Sequence, residues 1–357
     1  MGISAMRAGL AALLVGGSIL FAGTLPRGGD RVEDLDQVMQ APSALAEEEV
    51  LDSGEREDLV FAVFAGDEEQ LGHAVLLAES IRTFAGRYGD RPIWIYVPPE
   101  GIELSGDLRA RLSALQAELC TSKAPAEALW FYYAPKVFAA ARAEARAEDE
   151  GAILAWLDED TVVLQEPRAF ALDARRVLAY RSVMHRNIGS LFSRPVDDFW
   201  ARIYRRLAVP DSALFPMITP AYGDTVRPYF NAGLLVVRPE RGILRRWAED
   251  FAILYNDSSL VQQCRQDVTK RIFLHQTALV GAILNLADRD EMVELSRWYN
   301  YPLFFREMYG ASRAFDTIDR VVTLRYDVYF RDPAPDWPER LKGPPDTIDW
   351  LAGRLGR

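Results

Sequence analysis

From residue 59 onward the chain alternates between short, densely apolar runs and longer stretches with helical spacing. "LVFAVFAG", from Leu59 to Gly66, is rich in Val and Phe and ends in Gly66-Asp67, which predicts a buried parallel strand and a turn. "EEQLGHAVLLAESIRTFAGRYG" places Leu71, Val75, Ala78 and Ile81 on one helical face. "PIWIYVP" is a second strand bounded by prolines, and "SGDLRARLSALQAEL" a helix capped near Ser105. A helix is predicted from Ala134 to about Glu148, followed by a strand in "GAILAWLDEDTVVLQEP". Beyond it, "RVLAYRSV" and "RPYFNAGLLVVRP" read as strands, and "VDDFWARIYRRLAV" and "ERGILRRWAEDFAILYN" as amphipathic helices. "HQTALVGAILNL" reads as a buried helix headed by His275 and Gln276, and "RVVTLRYDVYF" as a late strand. Strand and helix in alternation predict an α/β fold with a doubly wound, mostly parallel central sheet flanked by helices.

The segments outside this pattern divide the chain. Residues 1–27 hold Arg7 and then an uncharged apolar run from Ala8 to Leu25, which reads as a signal-anchor or a signal peptide. The small residues near the run make a poor cleavage site, which favours an uncleaved anchor over a cleaved signal; a core helix is the third alternative. Residues 28–58 are polar and acidic without aromatics and read as a flexible stem. Residues 59–335 form the expected folded domain, and 336–357, with "DPAPDW" and "GPPD", a surface tail. This organisation predicts a single-pass protein with its domain on the exported side, in a Golgi lumen or a bacterial periplasm, or a secreted one if the first segment is removed. Membrane contact would come through that segment.

Composition narrows the function classes. The 357 residues carry a net charge of −11 with no block of Lys or Arg, which argues against a nucleic-acid partner. Two cysteines, Cys120 and Cys264, are too few for a cysteine zinc site; they are either free thiols or one disulfide. The three histidines, His73, His185 and His275, show no metal-ligand spacing.

The chemistry concentrates where the strand "AILAWL" runs into Asp158, Glu159 and Asp160. If the strand persists, Asp158 and Asp160 point together and Glu159 points away to solvent. Two convergent carboxylates at the C-terminal end of a strand would suit Mn²⁺ or Mg²⁺, and such an ion completes its shell with substrate phosphates. The alternative is an acidic turn. In "YFNAGLLVVRP" the amide of Asn231 and the hydrogen side chain of Gly233 interrupt an apolar strand, which marks a bulge or a close backbone approach. "RWYNYPLF" adds an aromatic-rich loop around Asn300. Lys136, at a helix start, either pairs with a diphosphate or is solvated, and Arg181, His185 and Arg186 follow as phosphate-contact candidates or as a solvated loop.

In order along the chain, Phe64-Ala65-Gly66, the D-x-D of Asp158 and Asp160, the F-N-A-G of Phe230–Gly233, His275-Gln276 and the N-Y-P of Asn300–Pro302 resemble glycosyltransferases of the GT-A fold, closest to family 8 and related nucleotide-diphospho-sugar transferases. The resemblance spans about Leu59 to Phe330. It implies that Phe64, Ala65 and Gly66 contact the nucleotide, that Asp158 and Asp160 bind the metal, and that Asn231, His275 and Gln276 contact sugar or acceptor. It also implies metal-dependent, retaining transfer from a UDP-sugar or similar donor to a glycan, protein or lipid hydroxyl. Two departures stand out. The family's D-Q aspartate is His275 here, and no histidine follows to serve as a third ligand; Asp327 is the candidate in that region. These departures motivate the alternative of a catalytically degenerate GT-A-like protein that binds a glycan or a protein partner.

Overall fold

The computed structural model describes residues 58–303, 317–326 and 337–355. The segments read as an anchor and as most of a stem (residues 1–57), together with Asp327, lie outside them. Among the described residues no helix is long and apolar enough to cross a membrane.

A seven-stranded sheet forms the centre. Its strands are β1 (Leu59–Phe64), β2 (Ile93–Val97), β3 (Ala117–Thr121), β4 (Ile153–Leu157), β6 (Leu178–Ser182), β9 (Phe230–Val237) and β10 (Met292–Glu294), in the order β10-β6-β9-β4-β1-β2-β3. All neighbours pair in parallel except β9, which runs antiparallel between β4 and β6. Strands β2, β4 and β9 are buried along their whole length, and β1 as far as Val63, because helices cover both faces. Period-two alternation sends Val60 and Ala62 to one core, and Leu59, Phe61 and Val63 to the other.

The first core is built against α3 (Ala134–Glu150), α4 (Asp198–Arg206), α5 (Ile243–Tyr255) and α7 (Val268–Leu286), and the second mainly against α1 (Glu68–Phe84). Helix α1 uses the predicted face: Leu71, Val75, Ala78 and Ile81 are buried, and Asp67 caps it by accepting from the Gln70 amide at 3.0 Å. Helix α2 (Gly106–Ala114) begins as expected after Ser105, which accepts from the Leu108 amide. It stops at Ala114, and the "AEL" expected to continue it belongs to edge strand β3. Residues Ser258–Gln266 form a further helix, α6, between α5 and α7.

A small second sheet, β11-β12-β5, joins three brief strands distant in sequence: β5 (Thr161–Val163), β11 (Tyr301–Pro302) and β12 (Thr323–Arg325). Strand β5 follows β4 after a tight turn, and β12 lies antiparallel to it. A two-stranded pair, β7 (Met217–Ile218) with β8 (Thr225–Val226), sits in the excursion between β6 and β9. The segment read as a surface tail carries α8 (Pro345–Leu355). Its Leu351 and Leu355 are buried in a third apolar cluster with Val162, Leu164, Tyr301, Leu324 and Tyr326. The two cysteines are free thiols, Cys264 buried and Cys120 partly so.

Candidate functional site

Strand β4 ends at Leu157, so Asp158–Asp160 form the turn into β5 and do not continue the strand. The Thr161 amide closes that turn by donating to the Asp158 carbonyl at 3.2 Å. Strand alternation therefore does not orient the carboxylates. They nonetheless meet on one group: Arg325 Nη2 lies 2.7 Å from Asp160 Oδ2 and 3.4 Å from Asp158 Oδ2, and Arg325 Nε donates to Asp160 Oδ1 at 3.0 Å. Lys136, buried in the first turn of α3, donates to Asp158 Oδ1. Both aspartates are buried. Burial works against ionisation of Asp158, but Lys136 and Arg325 together hold its carboxyl below the ordinary range. Glu159 is half-buried where full solvation was expected, and burial beside two like charges pushes its carboxyl up to about 8.

Strand β9 enters this corner from the opposite direction. Its pairing with β6 slips between Tyr180–Leu235 and Ser182–Phe230, so Asn231–Gly233 form a bulge. Asn231 Oδ1 accepts from the Gly233 amide at 2.8 Å, which holds the bulge locally. The Gly233 carbonyl accepts from the Asp158 amide at 2.9 Å, extending the β4–β9 ladder by one step. A Cβ on Gly233 would stand 2.9 Å from the Asp158 carboxyl carbon, which explains the glycine as a close-approach residue.

His275 and Gln276 do not head their helix. Helix α7 starts at Val268, capped by Asp267, and places both residues in its interior. The Gln276 amide nitrogen donates to the Phe230 carbonyl at 3.0 Å, tying α7 to the start of β9. His275 Nδ1 lies 2.9 Å from the Ile272 carbonyl; a carbonyl only accepts, so Nδ1 carries the proton. Its ring packs against Tyr133 at 4.5 Å and Trp247 at 6.1 Å between centroids. Burial, with Lys136 nearby, lowers the imidazole to about 3, so His275 is neutral at physiological pH.

At the first turn the Ala65 side chain is buried and its amide donates to the Tyr96 carbonyl at 2.8 Å, while the Gly66 amide donates to Gln70 Oε1 at 2.7 Å. Phe64 and Gly66 remain partly exposed. Arg181 is a residue of β6, and Nη1 donates to the Leu295 carbonyl at 2.6 Å, a structural commitment. Asn300 is buried in a left-handed conformation (φ 53°), with its amide donating to Thr323 Oγ1.

Of the sequence candidates, Asp158, Asp160, Lys136, Asn231, Gly233, His275 and Gln276 are brought into one connected cluster; Arg325 and Trp247 were not foreseen. A divalent ion needs about six oxygen ligands and anionic donors free to bind it. Here both carboxylates are already engaged by a guanidinium and an ammonium. Among the described residues no group of three or more His, Cys, Asp and Glu side chains could hold a metal. This arrangement does not fit Mn²⁺ or Mg²⁺.

A family model described as a Rhodobacterales glycosyltransferase domain matches residues 62–287. No curated protein matches the chain. Among solved structures, the galactosyltransferase LgtC in complex with donor and acceptor sugar analogues is 18% identical, with a TM-score of 0.40, over 83% of this chain and 94% of its own. Mouse xyloside xylosyltransferase 1 is 14% identical, with a TM-score of 0.40, over 76% and 97%. The bifunctional glycosyltransferase WbbM is 12% identical, with a TM-score of 0.46, over 86% and 51%. These three are distant likenesses.

Proposed function

The chain belongs to the Rhodobacterales glycosyltransferase domain family, and from that premise we propose that it transfers a sugar from a nucleotide diphospho-sugar, a UDP-sugar foremost, to a hydroxyl of a glycan, protein or lipid. The observation that carries this reading is the convergence of Asp158, Lys136, Asn231 and Gln276, from the turn after β4 and from α3, β9 and α7, at the C-terminal end of β4. The crevice outside the carboxyl ends of parallel strands is where open α/β sheets take their ligands.

In this reading the bond from the anomeric carbon to the diphosphate oxygen breaks, and its electron pair passes to that oxygen. The acceptor hydroxyl oxygen bonds to the same face of the anomeric carbon, retaining configuration, and its proton goes to the departing diphosphate. Lys136, oriented by Asp158, supplies fixed positive charge near the leaving group. Asn231 spends one end of its amide on the β9 bulge and Gln276 one end on the start of β9, leaving Asn231 Nδ2 and Gln276 Oε1 to orient sugar hydroxyls. Neutral His275 offers shape and an imidazole lone pair, and no charge. Phe64 and Gly66, partly exposed at the first turn, would contact the nucleotide.

The test is release of nucleoside diphosphate by the full chain across a panel of nucleotide-sugars. Turnover with a UDP-sugar is expected, and Asp158→Asn should lower it by about 10²-fold or more, because Lys136 loses its orienting charge. Absence of release with every donor would overturn the reading.

A further inference from the structure

The site holds a built-in cation between its two carboxylates. Arg325 meets Asp160 along one edge at 3.0 and 2.7 Å and approaches Asp158 at 3.4 Å. Its position is fixed by backbone as well as by charge. Strand β12 pairs Arg325 with Thr161, the residue after Asp160, and the Tyr326 amide donates to the Asp160 carbonyl at 3.0 Å. The side chain is 19% exposed. With Lys136 on the other oxygen of Asp158, two side-chain cations balance two carboxylates. A divalent ion seated on the same oxygens would have to displace a largely buried guanidinium and leave it without its partners.

We propose that Arg325 does permanently what a bound divalent ion would do at such a pair: it joins Asp158 and Asp160 and faces the donor's diphosphate, so that transfer proceeds without a metal. The proposal rests on the nucleotide-sugar reading for the identity of the anion. A guanidinium suits the task, since its planar fork joins two carboxylates at once and its charge is present at every working pH. As the anomeric carbon–oxygen bond breaks, its electron pair adds negative charge to the diphosphate. Arg325 and Lys136 meet that charge as two monocations. The acceptor proton goes to the departing diphosphate as before, so no further reactant is needed.

The experiment uses the full chain in detergent after treatment with a chelator. Mn²⁺ alone is followed by electron paramagnetic resonance, UDP alone by calorimetry, and UDP release with either EDTA or Mn²⁺ present. Wild type should bind no stoichiometric Mn²⁺, and its UDP affinity and turnover should agree within about two-fold with and without EDTA, since the cation is covalently part of the chain. Arg325→Ala should lower UDP release by about 10²-fold or more and, with its carboxylates released, acquire a bound Mn²⁺ signal. Arg325→Lys keeps a charge but loses the fork, and should fall between the two. One tightly bound Mn²⁺ per wild-type chain, or loss of UDP binding or turnover in EDTA, would overturn the proposal, and neither requires a variant to fold. Failure of UDP to bind under any condition would instead overturn the nucleotide reading, while the Mn²⁺ signal still decides the role of Arg325.

Discussion

At the scale of single residues, the site is set by close approaches. Gly233 lies where any side chain would press on the Asp158 carboxyl. Gly233→Ala is expected to cost about 1–3 kcal/mol through overpacking, and to reduce UDP release far more than it reduces the melting temperature, because the displaced group is Asp158 itself. Thermal unfolding and turnover measured side by side separate the two effects. Gly233 could be read in advance, because a lone glycine in an apolar strand has few explanations. Asp158 and Asp160 were legible as a pair, although the reason given, strand alternation, is not what joins them. Arg325 was not legible as their partner: it lies 165 positions from Asp160, and a single arginine in a late strand carries no local signal of what it will face.

At the scale of elements, α5 shows how one helix completes another. Its N-cap is Gly242 in a left-handed conformation (φ 69°), and no side chain of its own segment caps it. Glu144 of α3 does so from 100 positions away, accepting from the amide of Leu244 at 2.9 Å and of Arg245 at 2.8 Å. Burial pushes the Glu144 carboxyl up to about 7, against the opposing pull of those two amides and of Arg245. A raised acid holds its proton more tightly in the folded state, so its contribution to stability falls as pH rises from about 4.5 to about 7. Glu144→Gln should therefore gain on wild type between pH 5 and pH 8, by an amount on the order of 3 kcal/mol at most. Glu144→Ala should be less stable throughout, by about 2–4 kcal/mol, because two buried donors lose their acceptor. Denaturation midpoints at the two pH values check both. Long periodic elements such as α1, α3, β4 and β9 were readable because their pattern repeats enough to be distinctive. Strands of two residues, such as β7, β8 and β11, cannot repeat a pattern, and α6 was lost between two stronger helices.

At the scale of the molecule, the C-terminal segment matters more than its composition suggests. Helix α8 buries Leu351 and Leu355 beside Val162, Leu324 and Tyr326, sets Trp350 edge-on to Phe84 at 5.3 Å, and bonds Arg354 to Glu79 at 3.1 Å. The same cluster underlies β12, and so fixes Arg325. A chain ending at Lys342 is expected to unfold at lower temperature and to lose UDP binding disproportionately, which calorimetry on the shortened chain would measure. Prolines and glycines near 343–345 made this region look like a tail; they instead form the approach to a helix. The alternation of strands and helices made the central sheet legible, but no such pattern announced that β9 runs backwards within it.

That reversal has a consequence for how such a protein can change. Ser182, at the end of β6, pairs with Phe230, at the start of β9, so the excursion between them leaves and rejoins the sheet at neighbouring positions on the edge that carries the carboxylates. Lengthening its turns adds little closure entropy and leaves the register of the central strands alone, whereas α4 within it is held by Phe199, Trp200 and Ile203 in the first core. Those turns are where the chain can change length while Asp158, Asp160 and Arg325 keep their places.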